Sequence, residues 1–377
     1  MQEELDALKK NNTWELVLCP PRANIVGSKW VFKTKLKQDG SIERFKARLA
    51  TKGFSQVPGL DFDETFNPVL KPTILHLVIA LATTQSWPLR QLDVKNAFLH
   101  GMLKETVYMT QPPGFVDPQY LECVCCLHRS IYELKQAPRA WFDRFTLHLL
   151  RMGFYCSQAD SSLFVLQNSQ ATTILLLYVD DTVLTASTDE LLQQIISNLS
   201  EEFALKDLRP LHYFLGIEVT KFSGGIILSQ NKYAHDLLNQ ASMMEAAPIS
   251  TPLAIKDTIT LRDTELVDAT SYRSIVGALQ YLTVTRIDIC HAVNRVCQFM
   301  QAPTVSHLCL VKRILRYVKG TSQYVIRYPE HSPLSLTGFC DADWAGCPLT
   351  HRSTTRFCMF LGANCVSWGS KKQPTMA

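Results

Sequence analysis

The chain has 377 residues, of which 46% are hydrophobic and 19% charged, and its formal net charge is +4. That length supports two or three domains, and the apolar share excludes a disordered chain. The small positive excess permits a polyanionic partner without demanding one, so the placement of the basic residues has to carry that question.

The opening MQEELDALKKNN has no apolar run of a signal peptide, and a helix is under way by residue 3, as in a segment of a longer precursor. From Lys29, Trp30, Phe32, Thr34 and Leu36 alternate with Val31, Lys33, Lys35 and Lys37, which predicts a strand with a lysine face. Asp39-Gly40 gives a turn, and Arg44, Lys46 and Arg48 alternate with Phe45, Ala47 and Leu49 on the way back. The product is a hairpin with one strongly basic face, suited to phosphate, although lysines on exposed strands also serve to prevent edge pairing.

A helix is expected over Ile74 to Thr83 and a strand over Pro88 to Val94, carrying Asp93 at its end. The dense group Cys123, Cys125, Cys126 and His128 lacks the second half of a zinc site, so the 12 cysteines read as reduced thiols. Leu134 to Met152 reads as a helix with Pro138 in its first turn and Gly153 closing it. Thr172 to Thr185 reads as strand, tight turn, strand, and Asp189 to Glu202 as an amphipathic helix. The longest apolar runs, such as Ile174 to Val179, are too short to cross a bilayer, so no membrane association is expected.

Strands are expected over Leu211 to Val219 and Ile226 to Ser229, with Gly224-Gly225 between them, and then a helix over Lys232 to Ala241. Pro248, Thr251 and Pro252 mark a break, and residues 253–270 read as a polar connector. Helices follow at Tyr272–Leu282, Asp288–Met300 and His307–Lys319, the last stopped by Gly320. Short strands end the chain at Tyr324–Tyr328, Leu334–Cys340, Thr355–Leu361 and Cys365–Trp368.

The chemistry concentrates in TTILLLYVDDTVLTAS, where Asp180-Asp181 sits between two apolar strands. Adjacent carboxylates disfavour each other's ionisation, and a hard divalent cation such as Mg²⁺ resolves the conflict. A solvated hairpin tip is the plain alternative for that dipeptide. Asp93 at a strand end is by itself an ordinary helix N-cap. One carboxylate from a strand and two from a hairpin turn together supply what two-metal nucleotidyl transfer requires.

Tyr178-Val179-Asp180-Asp181 resembles the YxDD box of reverse transcriptases. RFKARLATKGFSQ, DFDETFNPVLKP, QLDVKNAFLHG, VYMTQPPGF, LKQAPRAW, YFLGIEV, VGALQYLT, KRILRYVKGT and DADWAGC are similar to boxes of the copia group of LTR retrotransposon Pol polyproteins, in that family's order along nearly the whole chain. The resemblance implies an α+β right-hand polymerase fold, with fingers, a palm built on an antiparallel sheet and a thumb. A helical connection and a partial RNase H-like α/β domain would follow. It places fingers and palm in residues 1–252, a helical thumb and connection in 253–323 and the RNase H-like part in 324–377.

The implied activity is RNA-directed DNA synthesis with two Mg²⁺ ions on an RNA template and DNA primer, using deoxynucleoside triphosphates. The implied setting is a retrotransposon polyprotein inside the cell, in a cytoplasmic virus-like particle or the nucleus. Asp93 and Asp180 would bind both ions, with Asp181 the third carboxylate. Phe98 matches the bulky residue that excludes a ribose 2′-hydroxyl, although a helix-borne core aromatic is its plain reading. Gln136 matches the glutamine beside the incoming nucleotide. Lys46 and Arg48 would approach the triphosphate, with the main contact left open between them. Leu215 and Gly216 resemble the turn that grips the primer, and Lys206 is positioned as a proton donor to pyrophosphate. Lys312, Arg316 and Lys319 share a helix face that could follow the template–primer backbone.

Asp341, in preference to Asp343, matches the first carboxylate of RNase H, whose next acidic residue would follow the KKQP segment. RNA-strand cleavage is therefore not expected, and the partial sheet is expected to lack partners. The family has glycine at Glu133, Arg209 and Arg356, arginine at His76, proline at Ile287 and tryptophan at Leu308. If those glycines hold left-handed backbone, each replacement costs roughly 1–2 kcal/mol. Such losses fit a decaying copy, and a non-catalytic remnant that still binds nucleic acid is the alternative reading.

Overall fold

Alternating and helical hydrophobic patterns dictate the elements, and a computed structural model gives their packing. The structure describes residues 1–36, 41–169, 171–254, 265–347 and 350–375. The Asp39-Gly40 turn and most of the 253–270 connector lie outside the described residues. The mixture of helices and mainly antiparallel sheets is the expected α+β class. Two compact units are present. One comprises Met1–Leu70, Leu92–Leu184 and Glu190–Leu208, and the other comprises Lys71–Gln91, Thr185–Asp189 and Arg209–Ala377.

In the first unit the basic hairpin forms as its alternation requires. Ser28–Leu36 pairs antiparallel with Ile42–Thr51 so that Lys33 faces Lys46 and Val31 faces Arg48. Cross-strand partners share a face, so the cations gather on one side and Trp30, Phe32 and Phe45 on the other. Below it lies a four-stranded sheet in the order Trp14–Leu18, Cys123–Arg129, Met102–Met109, Ile25–Val26. The cysteine-rich segment is thus a strand, with alternate residues on opposite faces. Burial pushes the Cys125 thiol up to about 12, which suits an inert core thiol.

The helix expected from Leu134 starts at Ala137 and runs to Arg151. Glu133 holds φ +67°, and residues 131–137 form successive turns through the Leu134-to-Ile131 and Ala137-to-Leu134 bonds before the helix begins. A six-stranded sheet has the order Leu205–Pro210, Leu89–Val94, Asp181–Ala186, Thr172–Tyr178, Leu163–Gln167, Tyr155–Cys156. Trp141, Phe145 and Phe203 form an aromatic cluster with ring centroids 5.1–5.4 Å apart.

The second unit has a core between the helices Asn231–Gln240, Ala269–Leu282, Cys290–Cys297 and Val305–Gly320, filled by Leu237, Tyr272, Val276, Val293, Val311 and Ile314. Asp268 caps the second of these, accepting from the amides of Thr270 and Ser271 at 3.0 and 2.9 Å. The strand expected over Leu211 to Val219 is interrupted. Tyr213–Phe214 and Ile217–Phe222 pair through a two-residue turn in which Leu215 and Gly216 have φ +49° and +68°. Positive φ at both central positions is the type I′ geometry that matches strand twist.

The terminal strands do not lack partners. Leu336–Ala342, Thr354–Leu361 and Asn364–Lys372 form an antiparallel sheet, and the helices Pro72–Thr84 and Cys290–Cys297 pack on its last strand. A helix from early in the chain supplies cover that the local sequence could not reveal.

Two of the three expected left-handed sites are left-handed: Glu133 at φ +67° and Arg209 at φ +69°. Arg356 lies within the strand Thr354–Leu361 and has no such need. Glu133→Gly and Arg209→Gly are each expected to stabilise the protein by ~1 kcal/mol, read from urea denaturation midpoints. A drop in stability from both would remove the strain argument.

His76 is 1% exposed in the second unit. Its Nε2 lies 2.8 Å from the Val284 carbonyl oxygen, and its Nδ1 lies 2.8 Å from the Tyr328 hydroxyl. Burial holds the imidazole down to about 4, against an ordinary 6.5. A depressed folded value means the contribution is present above pH 6.5 and is lost as pH falls through about 4. The loss is on the order of 3 kcal/mol. His76→Gln should flatten the stability profile between pH 7 and 4. An unchanged slope in that variant would show that His76 does not set it.

Candidate active site

Tyr178 ends one apolar strand and Asp181 begins the next, leaving Val179-Asp180 as the turn. Val179 holds φ +55°, a conformation that costs a β-branched residue more than most. Its carbonyl is fixed by the indole of Trp141, whose Nε1–H donates at 2.6 Å. From the neighbouring strand, the Val94 amide donates to the Asp180 carbonyl at 2.9 Å. That bond lays the residue before Val94, which is Asp93, beside Asp180.

The electrostatics agree with that placement. The Asp180 carboxyl is raised above the ordinary carboxylate range, first by the surrounding protein and then by repulsion from Asp93, while Arg48 and Lys46 pull it back. Asp180 still reaches solvent, and Asp93 is half-buried.

Among the described residues no three His, Cys, Asp or Glu side chains come together as a metal-ligand group. Asp181 is the first residue of the return strand. The Asp93–Asp180 pair nevertheless fits Mg²⁺. Two crowded hard-oxygen donors repel each other, and Mg²⁺ is commonly held by one or two carboxylates together with substrate phosphates.

Around the pair stand groups the expected site included and some it did not. Lys46 and Arg48 share the basic face, and both act on Asp180. The Arg48 guanidinium lies 4.8 Å from the centre of the Tyr132 ring. Tyr132 donates through its hydroxyl to Asn96 at 3.0 Å, and its phenol is pushed up to about 12 by burial. Phe98 sits on the short turn Ala97–His100, half-buried, with its ring edge-on to Tyr132 at 5.9 Å. Trp141, Tyr132 and Asn96 are neighbours of this site that sequence reasoning did not single out. Trp141 lay in a matched box, but nothing local marked its bond to a residue 38 positions away.

Other expected residues stand differently. Gln136 is buried and both ends of its amide are taken: Gln56 Nε2 donates to it at 2.9 Å, and it donates to the Asp61 carbonyl at 2.8 Å. In this state it ties loops together, with one of its two amide N–H donors engaged. Lys206 is exposed on the strand that neighbours the one bearing Asp93.

In the second unit, the Leu215 carbonyl accepts from the Tyr281 hydroxyl, which holds the Leu215-Gly216 turn. Arg316 donates to the Ala247 carbonyl and Lys319 to those of Met244 and Ala246, so of the proposed basic face Lys312 is the exposed member. Asp341 faces Arg356 across the terminal sheet, and the same guanidinium lies 3.8 Å from Asp343.

Comparison with known proteins bears on this arrangement. Residues 11–255 match the reverse transcriptase (RNA-dependent DNA polymerase) family. Over 375 residues, 99% of the chain, it is 48% and 47% identical to the retrovirus-related Pol polyproteins from transposons RE1 and RE2 of Arabidopsis thaliana. It is 38% identical to that from transposon TNT 1-94 of Nicotiana tabacum. The chain spans about a quarter of these relatives, 26%, 26% and 29% of their lengths. Among solved structures, the foamy viral protease-reverse transcriptase in complex with double-stranded DNA superposes with a TM-score of 0.50 at 14% identity. The match covers 98% of this chain and 55% of that one, and it supports the polymerase fold.

Proposed function

Since the chain belongs to the reverse transcriptase family and is of the copia Pol type, we propose that it is an RNA-directed DNA polymerase that extends a DNA primer on an RNA template. The observation that carries this is the Val94-to-Asp180 hydrogen bond, which sets two carboxylates side by side under two cations of the basic hairpin.

Asp93 and Asp180 would hold Mg²⁺, with Asp181 able to join once substrate is present. When bound, the two ions supply the positive charge that favours the attacking 3′-hydroxyl and the leaving pyrophosphate. Lys46 and Arg48 take up the negative charge of the triphosphate from the opposite side. Trp141 keeps the turn in its left-handed shape so that Asp180 does not swing away. Lys206 would return a proton to pyrophosphate, and the Leu215-Gly216 turn, tethered by Tyr281, would hold the primer end. Fingers and palm would occupy 1–252, thumb and connection 253–323, and the RNase H-like part 324–377.

Phe98 would exclude ribonucleotides by filling the space of the 2′-hydroxyl. Phe98→Val is expected to raise ribonucleotide incorporation on the order of a hundredfold, a scale set by steric discrimination in shaped pockets. Unchanged discrimination in single-nucleotide kinetics would remove that role.

Primer extension on an RNA template in Mg²⁺, with and without chelator, tests the main reading. Chelator-sensitive extension is the expected outcome. A second reading is a folded remnant that binds nucleic acid without polymerising. The strained Glu133 and Arg209 backbone and the Arg356 cation beside Asp341 favour it. No incorporation by folded protein that still binds RNA in a salt-sensitive way would select that reading. RNA-strand cleavage is not proposed, because Arg356 competes with a metal for Asp341 and Asp343.

A further inference from the structure

We propose that Lys29 and Lys33 extend the cationic face of the basic hairpin into a binding surface for the phosphate backbone of an RNA strand, and that Glu133 masks its Lys29 end. This rests on RNA binding by the chain, which both functional readings above share.

Side chains two apart on a strand share a face, so Lys29, Val31 and Lys33 point the same way. The register sets Val31 against Arg48 and Lys33 against Lys46, so the face runs from Lys29 past Arg48 to Lys33 and Lys46. Lys46 and Arg48 stand roughly 7 Å apart along their strand, within reach of one triphosphate. Lys29 and Lys33 stand roughly 13 Å apart, a span that one triphosphate does not cover and that successive phosphates of a strand do.

One end of this row is neutralised. The Lys29 Nζ lies 2.7 Å from a Glu133 carboxylate oxygen, with the two side chains 42% and 46% exposed. The backbone brings that carboxylate into place. The Thr51 amide donates to the Tyr132 carbonyl at 2.9 Å, which lays Tyr132 and Glu133 beside the end of the strand Ile42–Thr51. The Tyr132 ring meets the Arg48 guanidinium at 4.8 Å, and Glu133, next along the chain, meets Lys29.

Lys29 is exposed enough to touch a ligand, and an exposed ion pair of this kind is weak and screened by salt. A polyanion that approaches the face therefore finds a neutral pair at one end and the exposed Lys33 toward the other. Each phosphate that a lysine neutralises releases counterions, so the steepness with which affinity falls as salt rises counts the contacts.

Fluorescence anisotropy of a labelled single-stranded RNA with the full chain, between about 50 and 200 mM salt, reads that slope. Glu133→Gln keeps the side-chain length and the backbone and removes the charge. Its slope is expected to be steeper than the wild type's by about 0.7, the value for one phosphate of a single strand. Over that salt range the added loss of affinity is about threefold. Glu133→Gly removes the same charge and relaxes the backbone, and it should give the same gain. Lys29→Gln/Glu133→Gln replaces the ion pair by two neutral amides and should return the wild-type slope. Lys33→Gln should make the slope shallower by about 0.7.

A wild-type slope in Glu133→Gln and Glu133→Gly would overturn the masking of Lys29. A gain that persists in Lys29→Gln/Glu133→Gln would also overturn it, because the carboxylate would then act by general repulsion and not through Lys29. A wild-type slope in Lys33→Gln would remove the binding surface itself. Wild-type protein that binds RNA but extends no primer would sink the polymerase reading and leave the proposal standing. An active polymerase whose slope is unmoved in Glu133→Gln would do the reverse.

Discussion

Asp93→Asn is expected to lower nucleotide incorporation by about a thousandfold or more, since it removes half of the paired charge on which metal-assisted phosphoryl transfer depends. Asparagine matches aspartate in shape, so the Leu89–Val94 strand and the Val94-to-Asp180 bond should persist. Folding should not suffer. Asp93 repels Asp180 in the metal-free protein, and removing that repulsion lets the Asp180 carboxyl fall back toward its ordinary range. The signature is therefore a dead enzyme with an unchanged or slightly raised melting temperature. Single-turnover incorporation together with a thermal melt reads both. A variant that loses activity because it unfolds would not count for the assignment, and one that keeps activity would count against it.

Trp141→Ala should cost about 3–5 kcal/mol, the range for truncating a large buried aromatic. Trp141 is 1% exposed and packs against Phe145 and Phe203, with His100 at 5.9 Å on another side. The same change frees the Val179 carbonyl, which the indole N–H holds at 2.6 Å in a left-handed turn. Trp141→Phe separates the two effects. It keeps most of the packing and loses the bond, which is worth about 1 kcal/mol to stability. Incorporation should fall much further than that figure implies, because the turn positions Asp180. Urea denaturation and single-turnover kinetics on the two variants give the comparison. Activity that tracks stability alone in Trp141→Phe would mean that the indole bond does not position the turn.

What the sequence made legible was local. Period-two alternation fixed the basic hairpin and its face, and the apolar strands around Asp180 announced a buried hairpin with a charged tip. The glycines expected at positions 133 and 209 did mark left-handed backbone, since a missing Cβ leaves its trace in φ. The pairing of Asp93 with Asp180 was expected from the family resemblance; Asp93 alone, in the strand Leu89–Val94, read as an ordinary N-cap.

The unread parts are contacts between distant segments. Nothing near Trp141 says that its indole meets Val179. Nothing near Pro72–Thr84 says that this helix covers Asn364–Lys372. Gln136 looked unengaged because an amide in sequence has no visible partner, whereas it bonds both Gln56 and Asp61. Arg316 and Lys319 were readable as a helix face, but the chain from Met244 to Ala247 folds back and accepts bonds from the Arg316 Nε and the Lys319 ammonium. Leu211 to Val219 looked continuous by pattern, although the resemblance put a turn at Leu215 and Gly216, and the Tyr281 hydroxyl that holds it was not visible.

Binding of Mn²⁺, a spectroscopically visible substitute for Mg²⁺, bears most directly on whether Asp93 and Asp180 share a cation. Electron paramagnetic resonance would count bound ions with template–primer and an unreactive nucleotide analogue present. Bound Mn²⁺ in the wild-type protein, lost in Asp93→Asn/Asp180→Asn at equal folded concentration, is the expected result. Equal Mn²⁺ binding by the two proteins would contradict it and would move the metal, and the chemistry with it, away from this turn.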